Sequence, residues 1–189
     1  ENNILYFSIN HELCPTVTLS EIVKQVTEAI VWIYNNCKKF GGNKNKITIS
    51  GHSAGAHLCA MIMENNWDKY NIPKNVIKGA ALISGIYQPE LVLNLSVNKE
   101  IKLSKKEAIN NTPKSPKENI PVILTCVGEK EPEGWKEQTK LFSKNIIDSC
   151  NCLDFSILEN ENHFSMMISF SNSEHKFVKK IINMAKNIL

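Results

Sequence analysis

The sequence contains no long hydrophobic run, no recognisable secretory signal and no block of a single charge. Its 189 residues include 22 basic and 19 acidic side chains, a formal net charge of +3, and its lysines are interspersed with acids and asparagines. A membrane-spanning helix needs about 20 mostly apolar residues in a row, and nucleic-acid-binding proteins concentrate positive charge on one surface. The sequence therefore favours neither a membrane nor a nucleic acid as a partner.

The six cysteines lack the regular spacing of a disulfide framework. Disulfide-rich domains are typical of secreted proteins, whereas scattered thiols are typical of reducing compartments. Only Cys150 and Cys152 lie close together, and a single C-x-C pair without a second cluster does not predict a metal site. We therefore expect reduced thiols, a cytoplasmic location, and neither a metal nor a cofactor.

The length and the hydrophobic pattern predict a single α/β domain over residues 1–189, with a mainly parallel sheet flanked by helices. A crossover helix is expected around Ile22 to Cys37, with Thr18 and Glu21 spaced as a capping box. Further helices are expected from Ala54 to about Asn65, from Trp135 to Ile147 and from Glu174 to Leu189. Residues 90–120 are polar and contain several prolines, which predicts a cap or surface excursion without a long helix. The five predicted strands are 4–9, 46–50, 79–84, 121–127 and 153–158.

The segment 48–55, TISGHSAG, carries the strongest chemical signal. Ser53 lies at the centre of the pattern G-x-S-x-G, in which a tight turn between a strand and a helix presents the serine hydroxyl above the sheet. Five residues with three fixed positions also occur by chance as an ordinary glycine-bounded turn. Here a predicted strand precedes Ser53 and a predicted helix follows it, so we interpret Ser53 as a nucleophile.

A serine nucleophile requires a histidine base, and the sequence contains five histidines. His52 and His57 flank the turn, where packing or capping roles are expected, while His11 precedes the serine and His175 lies in the last predicted helix. His163 follows the last predicted strand, at the carboxyl edge of the sheet where active sites of such folds lie. His163 is therefore the predicted base.

An acid that orients the histidine is expected between Ser53 and His163, after the next-to-last strand. The segment VGEKEPEGW offers Glu129, Glu131 and Glu133. Spacing alone does not choose among these three carboxylates.

The chain resembles the kynurenine formamidase (arylformamidase) family of the α/β-hydrolase fold. The resemblance implies a serine hydrolase that cleaves N-formyl-L-kynurenine to L-kynurenine and formate, through a formyl-serine and without a cofactor, in tryptophan catabolism. When the acid loop is matched to the family through Trp135 and Gln138, the family's catalytic aspartate falls at Glu131. A glutamate can take this role, because both aspartate and glutamate occur as the triad acid in this fold. The segments that carry the resemblance are NHELCPTVTLSEIVKQVTEAIVWI, GHSAGAHL, KGAALISGIYQPE, EAINNTPKSP, VGEKEPEGWKEQTKLF and ENHFSMM.

The family's H-G-G loop, whose amides complete an oxyanion hole with the amide of Ala54, has no counterpart in this sequence. We therefore expect that the N-terminal strands of the fold are lacking and that the chain is a truncation, which would fold poorly and have little activity alone. Loss of even one oxyanion donor costs about 10²–10³ in rate.

Three aromatic residues, Tyr87, Trp135 and Phe164, could form an aryl-binding wall, or pack in the core or in loops. Two other functions stay open: a broad carboxylesterase with the same triad, and a non-catalytic hydrolase-like binding protein. The oligomeric state, with a homodimer as one option, also stays open.

Overall fold

The computed structural model describes residues 2–116, 118 and 120–187. Its centre is a four-stranded sheet formed by β1 (Ile47–His52), β2 (Ile77–Ile83), β3 (Ile120–Gly128) and β4 (Cys150–Leu158). The strands follow the order β1-β2-β3-β4, and each neighbouring pair is parallel. Four predicted strands are thus confirmed to within a few residues.

Helices connect the parallel strands and cover both faces of the sheet. The chain forms α1 (Leu19–Asn36), α2 (Ala54–Met63), α3 (Asn98–Ile101), α4 (Lys105–Asn110), α5 (Glu133–Ile146), α6 (Ser165–Ser169) and α7 (Lys176–Asn187). The start of α1 agrees with its predicted cap, since the Thr18 hydroxyl accepts a hydrogen bond from the Glu21 amide at 3.2 Å. The apolar side chains that recur along α1 are buried, among them Ile22, Val26 and Ile30.

The inner strand β2 is buried on both faces, as expected of a parallel sheet between two helical layers. Its side chains alternate between the layers. Ala80 and Leu82 belong to the larger core with residues of α1, α2 and α5, whereas Ala81 and Ile83 belong to a second core with residues of α6 and α7.

The predicted strand at 4–9 is wrong, because these residues form no strand in the described part of the chain. The segment instead lies against α1 and the short helical turn Cys37–Phe40, with the Phe7 ring edge-on to Trp32 and Phe40 at centroid distances of 6.4 and 5.9 Å. Its apolar residues therefore reflect packing on a helix. A strand additionally requires a hydrogen-bonded neighbour.

Residues 90–120 contain only short helical elements before β3, as far as the structure describes them, and their role as a cap or surface excursion stays a prediction; positions 117 and 119 lie outside the described residues. A short helical turn at Pro89–Asn94 leads into α3 and α4. Val92, Leu103 and Ala108 form a small apolar core of their own. Among the described helices, none combines the length and the apolar content that crossing a bilayer requires.

Candidate active site

The turn between β1 and α2 holds Ser53 in an unusual backbone conformation, with φ 56° and ψ −118°. A positive φ at a non-glycine residue costs about 1–3 kcal/mol and persists only where the surrounding structure enforces it. Two features hold Ser53 in this conformation. The Ser53 amide donates to the Ile83 carbonyl at 2.9 Å, and α2 begins at the next residue.

Close approach of backbone explains the first glycine of the motif. A Cβ atom on Gly51 would lie 2.3 Å from the carbonyl carbon and oxygen of Gly55, whereas a Cβ on Gly55 would meet nothing within 4 Å. The turn therefore requires glycine at position 51, because the backbone of Gly55 occupies the space that a side chain on residue 51 would need.

The three predicted catalytic side chains lie together at the carboxyl edge of the sheet. The Ser53 hydroxyl lies 2.9 Å from Nε2 of His163, and Nδ1 of His163 lies 2.8 Å from Oε2 of Glu131. When Nδ1–H donates to the carboxylate, Nε2 is left to accept the serine proton. The geometry is that of a hydrogen-bonded nucleophile, base and acid.

The Glu131 side chain is fully buried, while that of His163 is 22% exposed. Burial raises the pKa of Glu131, but hydrogen bonds from His163, from Ser84 and from the Gly128 amide outweigh it and hold this pKa below its ordinary value. The Gly128 amide donates to Oε1 at 2.9 Å. Glu131 is thus a carboxylate at neutral pH, although the protein encloses it.

The other two candidate acids lie elsewhere in the described structure. Glu129 accepts a hydrogen bond from the Asn160 amide at 2.8 Å, and Glu133 forms an exposed ion pair with Lys136 at 2.7 Å. Of the three glutamates that spacing left open, Glu131, which the resemblance pointed to, is the one hydrogen-bonded to His163.

Ser84 also belongs to the site, and sequence reasoning missed it. Its hydroxyl lies 2.7 and 2.6 Å from the two carboxylate oxygens of Glu131, to which it donates, and 3.1 Å from Nδ1 of His163. The residue is completely buried and has φ 48°. The available signal was its position directly after β2, at the same sheet edge as Ser53.

Two further histidines, His52 and His57, lie on either side of Ser53 in the sequence. His52 packs its ring at 4.5 Å from that of His163 and bonds to the His163 backbone. His57 is buried on α2, with Nε2 at 2.7 Å from the Asn111 carbonyl oxygen. Burial lowers the pKa of both His52 and His57, which favours their neutral forms.

The three aromatic candidates have different surroundings. The rings of Trp135 and Phe164 form T-shaped pairs with the ring of His163, at centroid distances of 5.6 and 5.4 Å. Tyr87 is 3% exposed and stacks on Phe142 at 4.1 Å, so the expectation that it walls an aryl pocket is not met. The Tyr87 ring instead packs in the core, which was the other expectation for this residue, because the turn after β2 directs it inward.

Ala54 is the first residue of α2. Amides in the first turn of a helix have no partner within that helix and point toward its positive dipole end. The Ala54 amide therefore has no partner within α2, and its role as an oxyanion donor stays a prediction. Within the described residues, no three His, Cys, Asp or Glu side chains are grouped as a metal site would require.

An apolar cavity of about 290 Å³ lies beside this turn. Ala54 and Leu58 of α2 form one wall, and Ile86, Ile101 and Leu103 contribute to the wall on the side of the excursion.

The BD-FAE family model matches residues 1–124, about two thirds of the chain. The chain belongs to the BD-FAE family. Kynurenine formamidases from Danio rerio and Salmo salar are 26% and 25% identical to this BD-FAE member over 94% and 96% of its length. The predicted resemblance to kynurenine formamidases is confirmed as a similarity, and the chain spans 61% and 62% of the length of these two relatives.

The fold has solved relatives as well. An esterase from Pyrobaculum calidifontis superposes with a TM-score of 0.74 at 17% identity, covering 94% of this chain and 64% of that one. At this identity the likeness concerns the fold alone. Together with the helix-flanked parallel sheet, it confirms the predicted α/β-hydrolase fold for this BD-FAE chain.

Proposed function

We propose that this chain carries the catalytic centre of a serine hydrolase, within one α/β-hydrolase domain. The observation that carries the proposal is the continuous hydrogen-bond chain from Ser53 through His163 to Glu131. In the first step the Ser53 oxygen attacks the substrate carbonyl while Nε2 of His163 accepts its proton. Glu131 stays ionised and stabilises the imidazolium that forms.

In this proposal the oxygen of the attacked carbonyl lies at the positive end of α2, which begins at Ala54. We propose that the Ala54 amide donates to this oxygen as it becomes negative, an interaction that is strongest in the tetrahedral intermediate. His163 then donates its proton to the leaving group. Water, deprotonated by the same imidazole, cleaves the acyl-serine and regenerates Ser53.

The substrate we propose is an aryl formamide, N-formyl-L-kynurenine. The similarity to proteins named kynurenine formamidase supports this choice. The positions of Trp135 and Phe164 beside His163 support it further, because the leaving group must lie next to the imidazole that protonates it. The products are L-kynurenine and formate, with a formyl-serine between them.

This reaction is a step of tryptophan catabolism, which we propose to take place in the cytoplasm. The six cysteines are free thiols in the structure, which supports a reducing compartment.

Formate release from N-formyl-L-kynurenine tests the proposal. We expect the full-length protein that contains this chain to release formate and L-kynurenine in equal amounts, and its Ser53→Ala variant to reduce kcat by about 10⁴-fold or more. Hydrolysis of simple aryl esters without any turnover of the formamide would contradict the proposed substrate. Inactivity toward both the formamide and the aryl esters would contradict the proposal that the protein is a serine hydrolase.

A further inference from the structure

His52 connects the two parts of the chain that supply the proposed nucleophile and base. It is the last residue of β1, where its backbone pairs with Ile83 of β2, and it directly precedes Ser53. Its ring lies 4.5 Å from the ring of His163, at an interplanar angle of 41°. His52 therefore belongs to the turn that holds Ser53 and also touches the imidazole that must reach Ser53.

The contact between the two histidines includes a hydrogen bond as well as ring packing. The His52 ring bonds to the backbone of His163, and this bond raises the pKa of His52. A backbone group that favours the protonated form of an imidazole is a carbonyl, so a ring N–H donates to the His163 carbonyl oxygen. Among the described residues, Nε2 of His52 has no hydrogen-bond partner, which assigns this bond to Nδ1.

The surroundings of His52 favour its neutral form. Burial lowers its pKa, as does repulsion from a charged His163, and together these outweigh the attraction of Glu131 and the bond to the His163 backbone. Protonation would add an N–H at Nε2, which is shielded from solvent and lacks an acceptor within the described residues. His52 therefore brings no second positive charge next to the imidazolium that forms at His163 during the reaction.

A direct link between base and nucleophile has catalytic value because their separation depends on distant parts of the chain. Ser53 and His163 are 110 positions apart and lie 2.9 Å from each other. Glu131 bonds to Nδ1 of His163 and orients the ring, but it does not connect the ring to the turn of Ser53. His52 makes that connection. A displacement of about 1 Å in an active site costs about 10² in rate.

We propose that His52 is a positioning residue, which holds the imidazole of His163 at proton-transfer distance from Ser53 through its Nδ1–H bond and its ring contact. The inference rests on the proposed function, since it uses Ser53 as the nucleophile and His163 as the base. His52 acts through His163, and its Nε2 is closed to solvent. Its replacement should therefore change kcat and leave KM nearly constant.

Three substitutions in the full-length protein separate the two contacts. His52→Ala removes both, His52→Asn keeps an N–H donor near the position of Nδ1 without the ring, and His52→Phe keeps a ring without the donor. The substrate is p-nitrophenyl acetate. We expect kcat to fall about 10²-fold in His52→Ala and about 10-fold in each of the other two variants, with KM within about twofold of the wild type.

His175→Ala is the control for loss of a histidine ring. His175 is half-buried, as His52 is, and its ring lies 5.0 Å from that of Phe170. In the described structure none of its hydrogen bonds or ring contacts is with Ser53 or His163. We expect wild-type kcat and KM in this variant. A tenfold loss of kcat here would overturn the inference, because the loss in His52→Ala would then not report a contact with His163.

The order of the variants distinguishes positioning from simple filling of space. If His52 only filled space, His52→Phe would have the wild-type kcat and His52→Asn would be no better than His52→Ala. Either result would overturn the inference, as would wild-type kcat in His52→Ala. If His52→Ala does not fold, the comparison of His52→Phe with the wild type still decides.

Labelling with a fluorophosphonate separates this inference from the proposed function. Labelled Ser53 in the wild type, combined with wild-type kcat in His52→Ala or His52→Phe, would overturn the positioning role and leave the serine hydrolase intact. Absence of both labelling and ester hydrolysis in the wild type would overturn the serine hydrolase and the positioning role with it.

Discussion

Ser84 connects two members of the proposed triad at the scale of a single residue. Its buried hydroxyl donates to the Glu131 carboxylate and also contacts Nδ1 of His163. A hydrogen bond to a charged group contributes about 1.5–3 kcal/mol. We therefore regard Ser84 as a positioning residue that holds the carboxylate against the imidazole.

Replacing Ser84 by alanine should lower kcat about 3- to 30-fold, a fraction of what general acid–base catalysis contributes. KM should change little, because Ser84 is completely buried and has no access to substrate. Steady-state kinetics on the formamide and on an aryl ester measure this split. Ser84→Gly is the control for backbone strain, since glycine adopts φ 48° without cost. If Ser84→Gly restored kcat, the hydroxyl would have no positioning role.

Glu131 should make stability depend on pH. Its folded-state pKa lies below the ordinary value of 4.5, so its contribution is fully present above pH 4.5 and is lost as pH falls through the lowered pKa. Urea unfolding should show the wild-type midpoint decreasing more than that of Glu131→Gln between pH 6 and pH 3. Parallel decreases in the two proteins would contradict the hydrogen-bonded carboxylate.

Residue types and order along the chain were enough to predict Ser53 and His163, because the elbow pattern and the loop after the last strand are local signals. Spacing alone did not choose among three glutamates, and only the family resemblance pointed to Glu131, since the choice depends on which carboxylate the turn after β3 directs toward His163. Ser84 was missed for the same reason: its partners are 47 and 79 positions away. Tyr87 faces the core because of packing against Phe142, a contact without a sequence signature.

At the scale of elements, the turn from β1 to α2 depends on the close approach of Gly51 to Gly55. We expect Gly51→Ala to lower the free energy of unfolding and to reduce activity, because its Cβ would lie 2.3 Å from backbone atoms that cannot move independently. Gly55→Ala is the matched control. A Cβ there meets nothing within 4 Å, and alanine favours the helix by up to about 1 kcal/mol.

Urea unfolding and ester hydrolysis of the two variants measure this difference. Equal stability and activity of Gly51→Ala and the wild type would show that the turn does not need the close approach.

The regular elements could be predicted because their signals are local. Apolar runs of about six residues indicated β1 to β4, and the three-to-four-residue spacing of apolar side chains indicated α1. The segment 4–9 shows the limit of this reasoning. Its apolar composition satisfied the strand pattern, but in the described chain Phe7 packs against Trp32 and Phe40, and the segment forms no strand.

At the scale of the whole molecule, the sheet assembles the site from distant parts of the chain. Ser53 follows β1, Ser84 follows β2, Glu131 follows β3 and His163 follows β4, so each of the four parallel strands delivers one side chain to the same edge. The carboxyl edge of a parallel sheet is where ligands bind in such folds. The fold thereby brings Ser53 and His163, 110 positions apart, into hydrogen-bond contact.

The most direct test of the central claim is covalent labelling by a fluorophosphonate, with the modified peptide mapped by mass spectrometry. The account predicts a single adduct on Ser53 in the wild type, no adduct in Ser53→Ala, and slow labelling in His163→Ala, where the hydroxyl has lost its base. Adduct formation on another residue, or equal rates in the wild type and His163→Ala, would contradict the assignment of Ser53 and His163 as nucleophile and base.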